Sequence, residues 1–493
     1  MRLTPSRAVL AALFLLTPAV PFVLAQDNAP SSAPSSEPSI EAPASEQPSA
    51  APSSEQPSTA PTSDEPVTDP TPDDEPPSSE EPKTPRTDEE IFEDLSFFGE
   101  VFDRIRSEYV DAPDEQELVR AAINGMLTSL DPHSGYLDPK MFEDVQEDTS
   151  GQFGGLGIEV TMEEGVIKVV SPIDDTPAQK AGILANDYIV ELNGKSVQGI
   201  TLDEAVKQMK GPIGTKIKVT VIREGATEPL YFELTRDVIA QRVVRWTMEG
   251  DVAVLRLARF TEQAYPGIQK AIKDIYDERK GTAPKGIILD LRNNPGGLVD
   301  QAVYVSDAFL KQGSVVLTRG RNEEEATRYD AKPDDLDAKL ADVPLIVLIN
   351  GGSASAAEID AGALQDHKRA TLIGTRSFGK GSVQSIIHLG ANGGIRLTTA
   401  RYYTPSNRSI QAAGIAPDIV IKENVPAEFA GRDEILGEAG LNGQIGGGTE
   451  EQATTGSSVY VPANKDEDTQ LQYAIKLILG TEKNDAYPPK ATG

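Results

Sequence analysis

The 493-residue chain contains no cysteine, a single tryptophan and only three histidines, His133, His367 and His388. Without cysteine there are no disulfides and no thiolate metal sites. The scattered histidines, with no H-E-x-x-H spacing, make a His-rich metal centre a poor reading. Positive charge is also scarce: 46 Lys and Arg stand against 77 Asp and Glu, a formal charge of −31. That balance argues against nucleic acid or an anionic membrane surface as the main partner.

What is present begins with a targeting pattern. Arg2 and Arg7 precede the apolar run "AVLAALFLLTPAVPFVLA", and a small-residue site ends at Ala25. This predicts a signal peptide over 1–25 and an exported protein, in the periplasm or held at a membrane. An uncleaved anchor is the alternative, which Pro18 and Pro21 disfavour. From 26 to 88 the chain is Pro, Ser, Ala and acid, with a loose SEQPS repeat; 14 acidic against 2 basic residues give this stretch −12. It cannot bury enough apolar surface to offset its ordering entropy, so a disordered acidic tether is predicted.

Residues 89–150 read as an N-terminal helical segment. Phe92, Leu95, Phe98, Phe102, Ile105 and Tyr109 recur at helical spacing, "DEQELVRAAINGMLTSL" gives a second helix, and "LDPHSGYLDP" breaks it. Over 151–240 the pattern turns β-rich: "GGLGIEVTMEEGVIKVVSPI", a strand ending in "LNG", and a helix after Thr201 with Glu204 placed for a capping box. This segment resembles a PDZ domain. The resemblance implies that Gly155, Leu156, Gly157 and Ile158 bind the C-terminal carboxylate of a peptide, which adds as a strand beside the helix near 203–209. A glycine-rich hairpin without a ligand is the plainer reading.

From 241 to 422 strands alternate with helices, which predicts an α/β core with a mainly parallel sheet and reactive groups at strand C-terminal ends. Residues 423–493 form a C-terminal region ending in the helix "DTQLQYAIKLIL". In the core, the apolar strand Leu345 to Ile349 runs through "NGGSASAAE" into a helix. Such an elbow sets Ser355 at a helix N-terminus, where backbone N–H groups favour a developing oxyanion. Yet Ser355 and Glu358 also fit a capping box, and by this stretch alone a cap is the stronger reading. In "FGKGSVQ", Lys380, Ser382 and Gln384 share a face of an extended segment. A desolvated lysine can act as a neutral base, with Gln384 holding its amine; a solvated surface charge is the bland alternative.

The motifs "LDPHSGYL", "LRNNPGG", "GSASAAE" and "FGKGSVQ", in this order around a PDZ-like segment, resemble the carboxyl-terminal processing (tail-specific) proteases. The resemblance covers about 89 to 422. It implies a serine endopeptidase with Ser355 as nucleophile, Lys380 as general base and Gln384 orienting the lysine. The oxyanion hole falls to the backbone N–H of Ala356 and of Gly296 or Gly297, with that choice open. It further implies no metal or cofactor, protein or peptide substrates with free C-termini, a homo-oligomer or a regulatory partner, and Arg223 as a contact between domains. Ala357 departs from the serine common at that position, and Asp366 matches an acid near the site. Two other classes remain: an inactive PDZ scaffold, and an acyl-thioester hydratase or isomerase on a related α/β fold.

Overall fold

Four apolar strands that read as uninterrupted runs organise the protein. In the computed structural model, which describes residues 86–163, 165–322, 326–446 and 452–489, they lie side by side in a six-stranded sheet. The order is Val244–Glu249, Val252–Leu257, Gly286–Asp290, Leu345–Ile349, Thr371–Gly374 and Ile419–Val420. The first pairing is antiparallel and the rest are parallel. Both faces are covered, which is why Gly286–Asp290, Leu345–Ile349 and Thr371–Gly374 are buried at every position. Leu345, Val347 and Ile349 face the helices Ala264–Glu278, Val299–Asp307 and Ala356–Asp366, while Ile346 and Leu348 face the C-terminal helix Thr469–Ile478.

A second sheet was not legible in the alternating strand–helix pattern. Gly135–Leu137, Gly394–Tyr403, Gly313–Arg319 and Thr327–Ala331 form it in that order, antiparallel, and Ser382–His388 also pairs with Gly394–Tyr403. Residues 131–138, predicted as a break between helices, thus supply an edge strand, and a third N-terminal helix, Pro139–Ser150, starts from the Asp138 cap. The first helix, Asp88–Glu108, buries no residue; Phe92, Leu95 and Phe98 on its apolar stripe are exposed. The predicted signal peptide and nearly all of the predicted tether lie outside the described residues.

The β-rich segment is entered and left through a two-stranded ribbon, Gln152–Gly155 against Asp237–Ala240. Its own sheet runs Ile158–Glu163, Val166–Pro172, Tyr188–Leu192, Lys216–Ile222, Leu230–Thr235, so Ile158–Glu163 is an edge. The helix Leu202–Met209 carries the predicted capping box: Thr201 N–H donates to Glu204 Oε2 at 2.9 Å and Glu204 N–H to Thr201 Oγ1 at 3.2 Å.

Candidate active site

The strand Leu345–Ile349 ends in a turn so tight that side chains are barred. A Cβ at Gly352 would lie 2.4 Å from Asn293 Oδ1. Asn350 and Asn293 clasp each other across the turn, Asn293 N–H to Asn350 Oδ1 at 2.8 Å and Asn350 Nδ2 to Asn293 Oδ1 at 2.9 Å. Ser355 then adopts φ 55° and ψ −115°, a strained conformation for a residue with a Cβ and not the extended one of an N-cap. Its N–H donates to Glu358 Oε2 at 2.8 Å, and the Glu358 N–H returns to the Ser355 carbonyl. Ser355 and Glu358 thus keep the pairing of a capping box, and Ser355 Oγ also faces the hydroxyl of buried Tyr402.

Glu358 is the residue that joins the two candidate motifs. It is fully buried, and besides Ser355 it accepts from Ser377 Oγ at 2.5 Å, Gly379 N–H at 2.6 Å and Lys380 N–H at 2.8 Å. Burial pushes its carboxyl up to about 7, against four donors that favour the anion. Phe378 N–H adds a bond to Ser353 O at 2.9 Å. The loop carrying Lys380 is thus fastened to the serine elbow through its backbone. The Lys380 amine itself has no acceptor within hydrogen-bond distance among the described residues. Burial is the main cause that lowers its pKa; Arg396 adds to this, while Glu438, Glu358 and Asp131 oppose it.

Gln384 does not meet the lysine amine. Its Nε2 donates to Ser382 Oγ at 2.9 Å and to Thr398 Oγ1 at 3.5 Å. Lys380 lies in the irregular loop before the strand Ser382–His388, outside the alternation that would align it with Gln384. Of the two glycines facing the elbow, Gly296 approaches closely: a Cβ there would be 2.7 Å from Ser355 Cβ and 2.9 Å from Ala356 N. Its N–H is already bonded to Asn294 Oδ1 at 2.9 Å. The N–H groups of Gly297 and Ala356 take no acceptor among the described residues, Gly297 being bridged to Phe260 through its neighbours.

The histidines stand elsewhere. His133 Nε2 meets the Glu438 carboxylate, His367 Nε2 meets Ser314 O at 2.7 Å, and His388 stacks on Phe142. Asp366 accepts from Ser406 N–H and Arg408, a supporting role at the end of its helix. Arg223, expected between domains, instead forks onto Asp187 within the β-rich domain, Nε to Oδ1 at 2.7 Å and Nη2 to Oδ2 at 2.8 Å, and Nη2 also donates to Gly182 O. Placement at the end of Lys216–Ile222 puts it beside that turn rather than at the boundary. A contact across the boundary comes from Lys210, 3.2 Å from Glu147 of the helix Pro139–Ser150.

In the predicted peptide loop, Gly157 has φ +75° and a Cβ there would meet Thr176 at 2.2 Å. Gly157 O accepts from Ile173 N–H and Leu156 O from Ala178 N–H, so the loop is fixed by carbonyls rather than amides. Gly155 and buried Leu156 lead into Ile158, which opens the edge strand. The sequence had pointed to Glu358 only as half of a cap. Tyr402, Glu438 and Gln411 carried no local signal, since they come from the second sheet, the C-terminal region and the loop between them.

Comparison with known proteins bears on the family and the domains of the chain. Residues 251–421 match the model of peptidase family S41, 154–234 that of a PDZ domain, and 68–141 that of the N-terminal domain of the activating protease CtpB. A carboxy-terminal-processing protease of Bartonella bacilliformis is 53% identical over 406 residues, 82% of this chain and 93% of that one. A carboxyl-terminal-processing protease of Synechocystis is 34% identical over 354 residues, 70% and 81% of the two chains. Among solved structures, the photosystem II D1 C-terminal processing protease aligns at 28% identity with a TM-score of 0.38, over 68% of this chain and 94% of that one.

Proposed function

The chain belongs to the carboxy-terminal-processing proteases of peptidase family S41, and on that footing we propose an exported endopeptidase that works by serine–lysine catalysis. The substrate is a protein whose free C-terminal tail pairs with the edge strand Ile158–Glu163 and sets its carboxylate at the loop Gly155 to Ile158. Ser355 Oγ attacks a peptide carbonyl while Lys380 Nζ takes its proton. The oxyanion is met by the N–H of Ala356 and Gly297. Collapse of the intermediate breaks the C–N bond, and the lysine ammonium returns the proton to the leaving amine. Water, deprotonated by the same lysine, then releases the acyl group from Ser355. Gln384 lines the approach of the amine, which closes on Ser355 Oγ when substrate fills the site; such contacts are often long in free enzymes.

One observation carries this reading: a single buried carboxylate, Glu358, holds the backbone N–H of both Ser355 and Lys380, while the lysine amine stays desolvated and unbonded. The exposed apolar stripe of Asp88–Glu108 is suited to a second copy of the chain or a regulatory protein. The test is cleavage of an unfolded protein with an apolar C-terminus. Ser355→Ala and Lys380→Ala are each expected to lower kcat/KM by at least about a thousandfold while staying folded. Normal cleavage by either variant contradicts the proposal, and binding of tails without cleavage by the unmodified protein favours the scaffold reading.

A further inference from the structure

The irregular loop 376–381, which carries Lys380, begins at a cavity of about 310 Å³. Arg376, Arg408 and Ser409 line it, with residues 413–416 and 452–455 as the remaining walls. One of those walls is tied to the loop. Arg376 Nη1 donates to Ala413 O at 2.8 Å, Ser377 N–H to Ile415 O at 3.1 Å, and Ile415 N–H to Ser377 Oγ at 2.6 Å. A Cβ at Gly414, where φ is +66°, would lie 2.7 Å from Ser377 O. Ser377 Oγ in turn donates to Glu358, the carboxylate that holds the N–H of Lys380. The serine–lysine reaction uses none of the groups that line this cavity.

The cavity is rich in donors that lack an acceptor. Arg376 is exposed and has no carboxylate partner among the described residues; its Nε and Nη2 are unbonded there. Arg408 places Nη2 on Asp366 and Gln365 and Nε on Ser406, which leaves Nη1. The hydroxyl of buried Ser409 has no partner at all, an uncommon state for a buried polar atom. The acids near these walls are engaged elsewhere. Asp366 accepts from Arg408 and Ser406 N–H, and Asp418 accepts from Leu372 N–H and Gln365 Nε2. Two guanidinium groups therefore border the cavity, and only one of them has a carboxylate.

We propose that this cavity binds a phosphate-type oxyanion, and that the bound anion braces the lysine loop through Arg376. Guanidinium groups meet such oxygens in pairs, and Ser409, Thr454 and Thr455 bring hydroxyls to the same walls. Donors arriving from several directions suit a tetrahedral anion better than a flat carboxylate. With a formal charge of −31 the chain repels small anions in general, so saturable binding marks a local site. The inference does not depend on which residue is the catalytic base.

The test is calorimetric titration of the full chain with inorganic phosphate at constant ionic strength, chloride being the ion replaced. One-to-one binding with a Kd of roughly 1 mM or tighter is expected. Arg376→Met, whose side chain gives up one hydrogen bond within the protein, is expected to weaken binding at least about tenfold. Ser409→Ala weakens it about threefold or more. Arg104→Met removes the same charge from the exposed face of Asp88–Glu108 and leaves binding unchanged. Absence of saturable phosphate binding overturns the proposal, as does an equal loss in Arg104→Met and Arg376→Met. Acetate bound as tightly as phosphate overturns the ligand class. Thermal unfolding checks the fold of each variant. If Arg376→Met does not fold, unweakened binding by a folded Ser409→Ala overturns the site instead. Bracing is read by amide hydrogen exchange at Gly379 and Lys380, whose N–H groups Glu358 holds. Saturating phosphate slows that exchange in the unmodified chain and not in Arg376→Met; exchange unchanged in the unmodified chain overturns the bracing.

Discussion

The serine elbow and the lysine loop are only a few residues from each other in space, yet they are held by opposite means. The elbow lies between a fully buried strand and a helix whose residues 356–365 are all buried, and Ser355 is locked in a strained backbone conformation. The lysine loop has no regular structure of its own and is pinned by hydrogen bonds to Glu358, Ser353, Gln411 and Glu438. Packing, with the Asn293–Asn350 clasp and Glu358, fixes the nucleophile; the base is fixed by a polar network without such packing. Networks of this kind are costly when half satisfied, so the lysine side of the site is the more breakable one.

The sharpest way to break the contrast is to remove what the two sides share. Glu358→Ala leaves the N–H groups of Ser355, Gly379 and Lys380 without an acceptor in a dry interior. The expected result is loss of activity by a thousandfold or more and a stability loss of about 3–5 kcal/mol, read by peptide cleavage and urea unfolding.

Glu358→Gln is milder and turns on pH. A carboxyl raised in the folded state from 4.5 to about 7 contributes stability that is fully present below 4.5 and lost as pH rises through 7. The glutamine variant lacks that dependence. Its stability deficit against wild type is therefore expected to be larger at pH 5 than at pH 8, and a deficit that grows with pH contradicts the buried, raised carboxyl.

Smaller effects should fall away from this pair. Arg223→Ala leaves buried Asp187 unpaired and is expected to cost about 3 kcal/mol, with loss of tail binding following from unfolding of the PDZ domain. A tail-binding defect with PDZ stability intact points instead to a direct role for Arg223. Smallest of all, His388→Ala removes a surface stacking contact with Phe142; a change of under about 1 kcal/mol and an unaltered pH–rate profile are expected.

The difference between the two sides also explains what could be read in the chain beforehand. The elbow was legible because its cause is local: an uninterrupted apolar strand, then small residues, then a helix. The PDZ helix cap at Thr201 and Glu204 was legible for the same reason. The second sheet was not, since the pairing of Gly135–Leu137 with Gly394–Tyr403 joins segments more than 250 residues apart. With that sheet hidden, Gln384 was aligned with Lys380 by simple alternation, but Lys380 precedes the strand Ser382–His388 and the Gln384 amide turns to Ser382 and Thr398. Likewise Ser355 and Glu358 fitted a capping box, which the structure keeps, and only the backbone angles of Ser355 set it apart from an ordinary N-cap. Gly296 and Gly297 look equivalent in "NNPGG"; the Asn294 side chain distinguishes them by occupying the first N–H.

The central claim is that the proton of Ser355 goes to a lysine and to none of the three histidines. The most direct measurement compares cleavage of an unfolded protein by Lys380→Ala with cleavage by a variant in which His133, His367 and His388 are all replaced by glutamine. The account predicts a folded but inactive lysine variant and a histidine-free enzyme that still cuts. An active Lys380→Ala beside a folded, inactive histidine-free enzyme would contradict it.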